Sequence, residues 1–236
     1  EEINPLSSSE RQLLTQTWIK DQAWRPPADL ELSVARAFAQ QAAHSPQERA
    51  AVFWTEEGDQ SLSYQELDGR GNQMARRLKG LGVRAGDRVV ICQEPGLHRL
   101  VALLATLKAG GTYVPLDPSL PEALMAELIE DAQAGLVLAD SSTIDRLSDM
   151  AQAGPEVAVY CSQEDGADCQ DLSDAELDTG PDASDAAYMI YTSGSTGRRK
   201  GVIIEHGALA QMVAAQSRAF QISKGARVLQ FAAFSF

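Results

Sequence analysis

The sequence predicts an α/β fold in which mixed or parallel sheets are flanked by helices, and three observations carry that prediction. Between residues 88 and 161, short apolar segments alternate with longer stretches of helical periodicity, the order that builds a parallel sheet sandwiched by helices. The apolar segments are rich in Val, Ile and Leu at consecutive positions, as in Val89-Val90-Ile91 and Leu136-Val137-Leu138, which suits strands covered on both faces. Hydrophobic residues are 44 % and charged residues 22 % of 236 positions, a balance that buries a sizeable core in one large domain, or in one domain and a fragment.

Ser7, with Glu10 three residues on, forms a capping box, and Leu13, Leu14 and Trp18 continue a helical stripe that Pro26-Pro27 ends. Leu32, Ala35, Phe38, Ala39 and Ala42 make a second stripe that stops before Pro46. Residues 50–54 and 61–64 read as two short strands around a turn at 56–60. Ser63 and Glu66 box the next helix, whose buried face is Leu67, Met74, Ala75 and Leu78 and whose left-handed stop is Gly82. Strands at 88–93, 112–116, 136–140 and 157–161 then alternate with helices at 97–109, 121–134 and 142–151. A strand at 186–191, another at 202–205 and a helix at 207–220 follow, and the chain has no internal repeat.

Net charge is −13, which argues against nucleic acid as a partner because phosphate contacts need a basic surface. The longest strongly apolar stretch, residues 100–107, is too short to span a membrane, and residues 1–20 lack a signal-peptide core, so the expected compartment is the cytoplasm. Cys92, Cys161 and Cys169 are odd in number and without metal-ligand spacing, as expected of reduced structural thiols. No metal-ligating cluster is predicted. Residues 162–187 carry nine acidic side chains and no Lys or Arg, and read as a solvated surface loop, whereas residues 188–236 carry six basic side chains against Glu205 alone. An anionic ligand would meet a favourable field in that last quarter.

Within it, Thr192-Ser-Gly-Ser-Thr-Gly-Arg-Arg-Lys-Gly201 stands between two apolar strands with no apolar side chain to pin it to a core. Glycines let backbone approach a ligand and turn successive N–H groups into an anion-binding concavity; hydroxyls add donors and Arg198, Arg199 and Lys200 add charge. One positive charge at about 4 Å from a phosphate is worth roughly 4 kcal/mol at an effective dielectric of 20. The loop therefore suits a polyphosphate, and the plain alternative is a flexible Gly/Ser connection. A Walker-type P-loop does not fit, because counting from Gly194 puts Arg199 at the second glycine and Gly201 at the hydroxyl position.

Tyr191-Thr-Ser-Gly-Ser-Thr-Gly-Arg-Arg-Lys-Gly201 resembles the signature phosphate loop of the adenylate-forming (AMP-binding) superfamily, in particular the adenylation domains of nonribosomal peptide synthetases. Leu62-Ser-Tyr-Gln-Glu-Leu67 is similar to the first core motif of that family and Leu107-Lys-Ala-Gly-Gly-Thr-Tyr-Val-Pro-Leu-Asp117 to the second. Asn4 through Trp18 resembles the segment joining an upstream condensation domain to an adenylation domain, and Leu229-Gln-Phe-Ala-Ala-Phe-Ser-Phe236 the approach to the Phe-Asp motif at the substrate pocket. Arg199 departs from the family, which usually has Pro there.

The resemblance implies a linker at residues 1–30 and, at 31–236, part of an adenylation domain: the first portion of its large N-terminal subdomain. It implies an ATP-dependent, AMP-forming ligase that joins a carboxylate to the α-phosphate of ATP with Mg²⁺ and passes the acyl adenylate to the phosphopantetheine thiol of a carrier protein domain. Thr192, Ser193, Gly194, Ser195, Thr196, Gly197, Lys200 and Gly201 are the implied grip on the β- and γ-phosphates, and Phe236 the implied border of the amino-acid pocket. The catalytic lysine of the family is expected beyond residue 236, and the 236-residue chain alone is expected to be inactive. Tyr113 and Tyr191 read as core, and His206 as a packed or capping residue. Two other readings stand beside this one: an acyl-CoA ligase or luciferase-like enzyme, and a truncated module that scaffolds neighbours without turning over ATP.

Overall fold

The computed structural model describes residues 7–13, 33–153, 157–162, 167–177, 180–192 and 199–235. Helix α1 (Ser8–Gln12) carries the expected capping box, with the Ser7 hydroxyl accepting from the Glu10 N–H and the Glu10 carboxylate from the Ser7 N–H. Leu14, Trp18, the Pro26-Pro27 pair and Leu32 lie outside the described residues. Helix α2 (Val34–His44) is capped by Ser33 and buries Ala35 and Ala42.

Strands β1 (Arg49–Thr55) and β2 (Gly58–Ser63) form an antiparallel hairpin in which Thr55 pairs with Gly58. The turn is therefore only Glu56-Glu57, shorter than its polar sequence suggests, because residues 58–60 continue the ladder. Tyr64 begins helix α3 (Tyr64–Gly80) instead of ending a strand, since Ser63 is committed as its N-cap with Glu66 reciprocating. Gly82, at φ +99°, supplies the left-handed turn that ends α3, a conformation a side chain at Cα would resist.

Among the described residues the main sheet has six strands: β3 (Arg88–Ile91), β4 (Thr112–Pro115), β5 (Leu136–Ala139), β6 (Ala158–Cys161), β7 (Ala186–Thr192) and β8 (Lys200–Glu205). Their order is β6-β5-β3-β4-β7-β8; every pairing is parallel except that of β7 with β8. Helices α4 (Leu97–Ala109), α5 (Glu122–Ala132) and α6 (Ile144–Ala153) make the crossovers, and α7 (His206–Ala219) follows β8. The path steps one way from β3 to β4 and then back over β3 to β5, so right-handed crossovers put α4 on one face and α5 and α6 on the other.

Packing follows that division. Val89, Ile91, Leu136 and Leu138 meet Leu67, Met74 and Leu78 of α3 and Leu104 of α4. Val90, Val137 and Val114 meet Met125, Leu128 and Ile129 of α5 and Leu147 of α6. Strands covered on both faces explain the unbroken apolar runs in the sequence.

The described part of the acidic stretch, residues 167–177, is a largely exposed loop, as expected, but one tied to the fold at several points. A 3₁₀ turn at Ala167–Cys169 buries Cys169, and Leu177 packs on the first core. Arg76 of α3 donates to the carbonyls of Ser173 (2.9 Å), Ala175 (2.7 Å) and Glu176 (3.2 Å), and Arg77 to that of Asp168 (2.6 Å). Two guanidinium groups thus bind the backbone while the carboxylates at 168, 171, 174 and 176 turn outward or pair locally, with Tyr160 donating to Asp168. Cys92, Cys161 and Cys169 are free thiols, and burial pushes the Cys92 thiol up to about 12.

Candidate functional site

Because β7 runs parallel to β4, its last residue, Thr192, emerges at the same edge of the sheet as the carboxyl ends of β3, β4 and β5. The connection from β3 leads one way to β4 and that from β5 leads the other way to β6, so the strand order switches between β3 and β5, and the crevice outside the carboxyl ends at such a switch is where open α/β sheets bind ligands. β8 then returns antiparallel, pairing Thr192 with Lys200 and Tyr191 with Gly201.

Thr192 and Lys200 are exposed at the mouth of this hairpin, where the Thr192 hydroxyl donates to the Lys200 carbonyl at 3.4 Å. Ser193, Gly194, Ser195, Thr196 and Gly197 lie outside the described residues, as do Arg198 and Phe236. Gly201 has a packing reason of its own: a Cβ there would come within 1.9 Å of the Met189 methyl, so a larger residue must push that side chain aside. The phenol of Tyr191 donates to Asp131 (2.8 Å) and the Leu128 carbonyl (3.2 Å) of α5, tying the end of β7 to the helix below. Burial and the Asp131 carboxylate raise that phenol's pKa well above its ordinary value.

The neighbouring strand ends are held by a buried carboxylate. Asp140, 1 % exposed, follows β5 and accepts from the N–H of Glu94 (2.6 Å), the N–H and hydroxyl of Ser142 (3.1 and 2.7 Å), and the N–H and hydroxyl of Thr143 (3.0 and 2.9 Å). His98 approaches its other side at 3.4 Å. Burial pulls the Asp140 carboxyl up, but the hydrogen bonds from Ser142, Glu94 and Thr143 outweigh it and hold the group below the usual carboxylate range. Gln93, fully buried, donates to the Ala139 carbonyl (3.0 Å) and the Ser162 hydroxyl (2.6 Å). The loops after β3 and β5 are therefore one rigid unit under the crevice. Asp140-Ser-Ser-Thr143 after a strand is a capping signal that could have marked this unit in the sequence.

Arg99, in the first turn of α4, lies at the same edge. Its guanidinium is 4.7 Å above the Phe234 ring and donates to the Gln93 carbonyl at 3.4 Å. Phe234 stacks on Tyr113 of β4 (6.1 Å) and Tyr113 on Tyr188 of β7 (5.5 Å). Burial lowers the Arg99 pKa, opposed by Glu94, Asp117 and Asp140. No local signal singles out Arg99 among the residues of an amphipathic helix.

Tyr113 packs on the first core and Tyr191 on the second, as expected. His206 opens α7 fully buried, with neither ring nitrogen partnered among the described residues, and burial lowers its pKa, so it is neutral and packed. Among the described residues no three His, Cys, Asp or Glu side chains gather to hold a metal ion, and no helix is long and apolar enough to cross a membrane.

Residues 38–236 match the family model described as AMP-binding enzyme. Malpinin synthetase of Mortierella alpina is 37 % identical over 238 residues, which is 99 % of this chain and 3 % of that protein. Tyrocidine synthase 1 of Brevibacillus parabrevis is 34 % identical over 204 residues, 86 % of this chain and 18 % of that one. Among solved structures, the AMPPNP-bound form of the nonribosomal peptide synthetase FmoA3 superposes with a TM-score of 0.78 at 28 % identity, covering 98 % of this chain and 23 % of that chain. ATP-bound MatB from Rhodopseudomonas palustris gives 0.68 at 30 % identity, covering 81 % and 39 %. The chain thus spans well under half the length of each of these proteins.

Proposed function

This chain belongs to the AMP-binding enzyme family, and on that premise we propose that residues 31–236 are the first portion of the large subdomain of an adenylation domain and residues 1–30 the linker from a condensation domain. The activity is ATP-dependent formation of an aminoacyl adenylate, followed by transfer of the acyl group to the phosphopantetheine thiol of a carrier domain, in nonribosomal peptide synthesis. The substrates are an amino acid or related carboxylic acid and ATP with its Mg²⁺, and the reaction takes place in the cytoplasm.

One observation supports this reading above others: Thr192 and Lys200, which bracket the loop, lie at the carboxyl edge of the parallel sheet, the edge at which such sheets bind ligands. An anionic carboxylate must approach a polyanion there, so positioning and charge stabilisation dominate the chemistry. Backbone N–H groups and hydroxyls from Thr192 to Gly197 take the β- and γ-phosphates, Lys200 adds charge, and pyrophosphate leaves on the same groups. Gly201 contributes by clearing Met189 at the base of the hairpin. Phe236 borders the amino-acid pocket.

The test is amino-acid-dependent exchange between ATP and pyrophosphate by the polypeptide that carries this chain. Lys200→Ala is expected to raise the ATP KM and lower exchange by about 100- to 1,000-fold, the range for losing one charge-stabilising donor. Exchange unaffected by Lys200→Ala, or by replacing Thr192 and Ser193 together, refutes the phosphate assignment. Acyl transfer to coenzyme A in place of a carrier domain would favour the acyl-CoA ligase reading, and no exchange at all the scaffold reading.

A further inference from the structure

We propose that Arg99 is a positioning residue that fixes the substrate-side segment ending at Phe234, by clamping the Phe234 ring against Tyr113 of β4. The clamp rests on the adenylation function proposed for this chain, and it concerns a residue outside the phosphate loop.

From Ala219 the chain runs without regular structure, and most of its apolar side chains face outward: Val228 is 75 %, Leu229 68 % and Phe231 91 % exposed. Such a segment has few buried contacts to hold it. Lys224 lies 3.7 Å from Glu48, just before β1, and the Arg227 guanidinium lies 5.7 Å from the centre of the Trp54 ring on β1. Phe234, further along, is the point at which the segment turns inward, and it is two residues from Phe236.

Phe234 is held on two sides. Tyr113 stacks on it nearly parallel, at an interplanar angle of 10°, and the Arg99 guanidinium lies 4.7 Å from the ring centre. Arg99 is itself placed by the first turn of α4 and by the Gln93 carbonyl, and Gln93 is locked to β5 and β6 through Ala139 and Ser162. The stack continues through Tyr113 to Tyr188 on β7, the strand that ends at Thr192. A cation on an aromatic face that is partly shielded from water is a stronger contact than the same pair at the surface. The rigid strand ends under the crevice thereby set where the substrate-side segment lies relative to the phosphate loop.

In the polypeptide that carries this chain, Arg99→Leu is expected to raise the amino-acid KM by about 3- to 30-fold, the factor carried by a contact of this kind, and to leave the ATP KM unchanged. Arg99→Lys, which keeps the cation, is expected to restore most of the loss. An unchanged amino-acid KM, a parallel rise in both KM values, or a lysine variant no better than leucine overturns the proposal. If Arg99→Leu does not fold, Phe234→Leu tests the same contact from the other side. In the double variant the two losses are expected not to add, and additive losses refute the clamp. Wild-type protein without amino-acid-dependent exchange would refute the proposed function instead. Amide exchange over residues 228–235 would then decide the clamp, since protection equal in wild type and Arg99→Leu overturns it.

Discussion

Replacing Lys108 by Met tests the buried polar contact that joins the two helices behind the sheet. The Lys108 side chain is 5 % exposed near the end of α4, with its ammonium 2.9 Å from Asp68 and 2.8 Å from the Asn72 amide oxygen, both on α3. Asn72 in turn donates to Asp68 at 3.1 Å and to the Asp174 carbonyl at 2.8 Å, so the network also reaches the acidic strap. Breaking a buried pair by removing one partner costs about 3–5 kcal/mol, because the charge left behind has lost its compensation. Asp68 keeps 17 % exposure and the Asn72 donor, which places Lys108→Met near the lower end, about 3 kcal/mol. For a chain of this length that is roughly 6–12 °C in Tm. Removing the other charge as well, in Asp68→Leu with Lys108→Met, is expected to recover much of the loss, since replacing a whole buried pair by apolar groups is often close to neutral. Denaturant unfolding of the two single variants and the double variant closes the cycle. A Lys108→Met loss under about 0.5 kcal/mol, the size of an ordinary surface substitution, or losses that simply add, would show that the contact is not the buried pair described.

Asp140→Asn is expected to remove part of the chain's sensitivity to acid. The folded carboxyl titrates below its unfolded value, so its contribution is present above about pH 4 and is lost as the pH falls through the folded value. Unfolding midpoints of wild type and variant should therefore converge toward low pH, and parallel curves refute the assignment. His206 has the opposite chemistry and a similar direction: its lowered folded pKa makes stability fall as the pH drops below about 6.5, where the unfolded ring takes up a proton. His206→Gln should flatten the stability profile between about pH 5 and 7, as read by thermal unfolding, and an unchanged slope argues against a neutral buried ring. Leu78→Ala removes a fully buried side chain from the core between α3 and the sheet and is expected to cost about 2–5 kcal/mol by denaturant titration. A loss below that range would mean that the site collapses around the missing atoms.

Local signals in the chain were sufficient for most of the secondary structure. The capping boxes at Ser7 and Ser63 start helices where they should, and Gly82 stops one at positive φ. Such features are written in three or four adjacent residues, so they are readable without knowing what lies across the sheet. The doubly covered strands were legible for the same reason, since burial on both faces leaves no polar position in the run. The composition of the loop from Thr192 to Gly201 is what suggests a polyphosphate there.

Residue order and composition were thus enough for the list of elements, the family and the loop in which phosphate chemistry is expected. The strand order needed the folded chain, and with it the meeting of the Thr192 hairpin, Asp140, Arg99 and Phe234 at one edge of the sheet. Folding also anchors the exposed acidic loop at 167–177 through Arg76 and Arg77, by backbone carbonyls that composition does not display. The difference lies in the range of the forces. Caps, turns and hydrophobic periodicity act between residues a few positions apart, whereas the contact of Arg99 with Phe234 joins residues from distant parts of the chain and exists only once crossovers have been laid on the sheet.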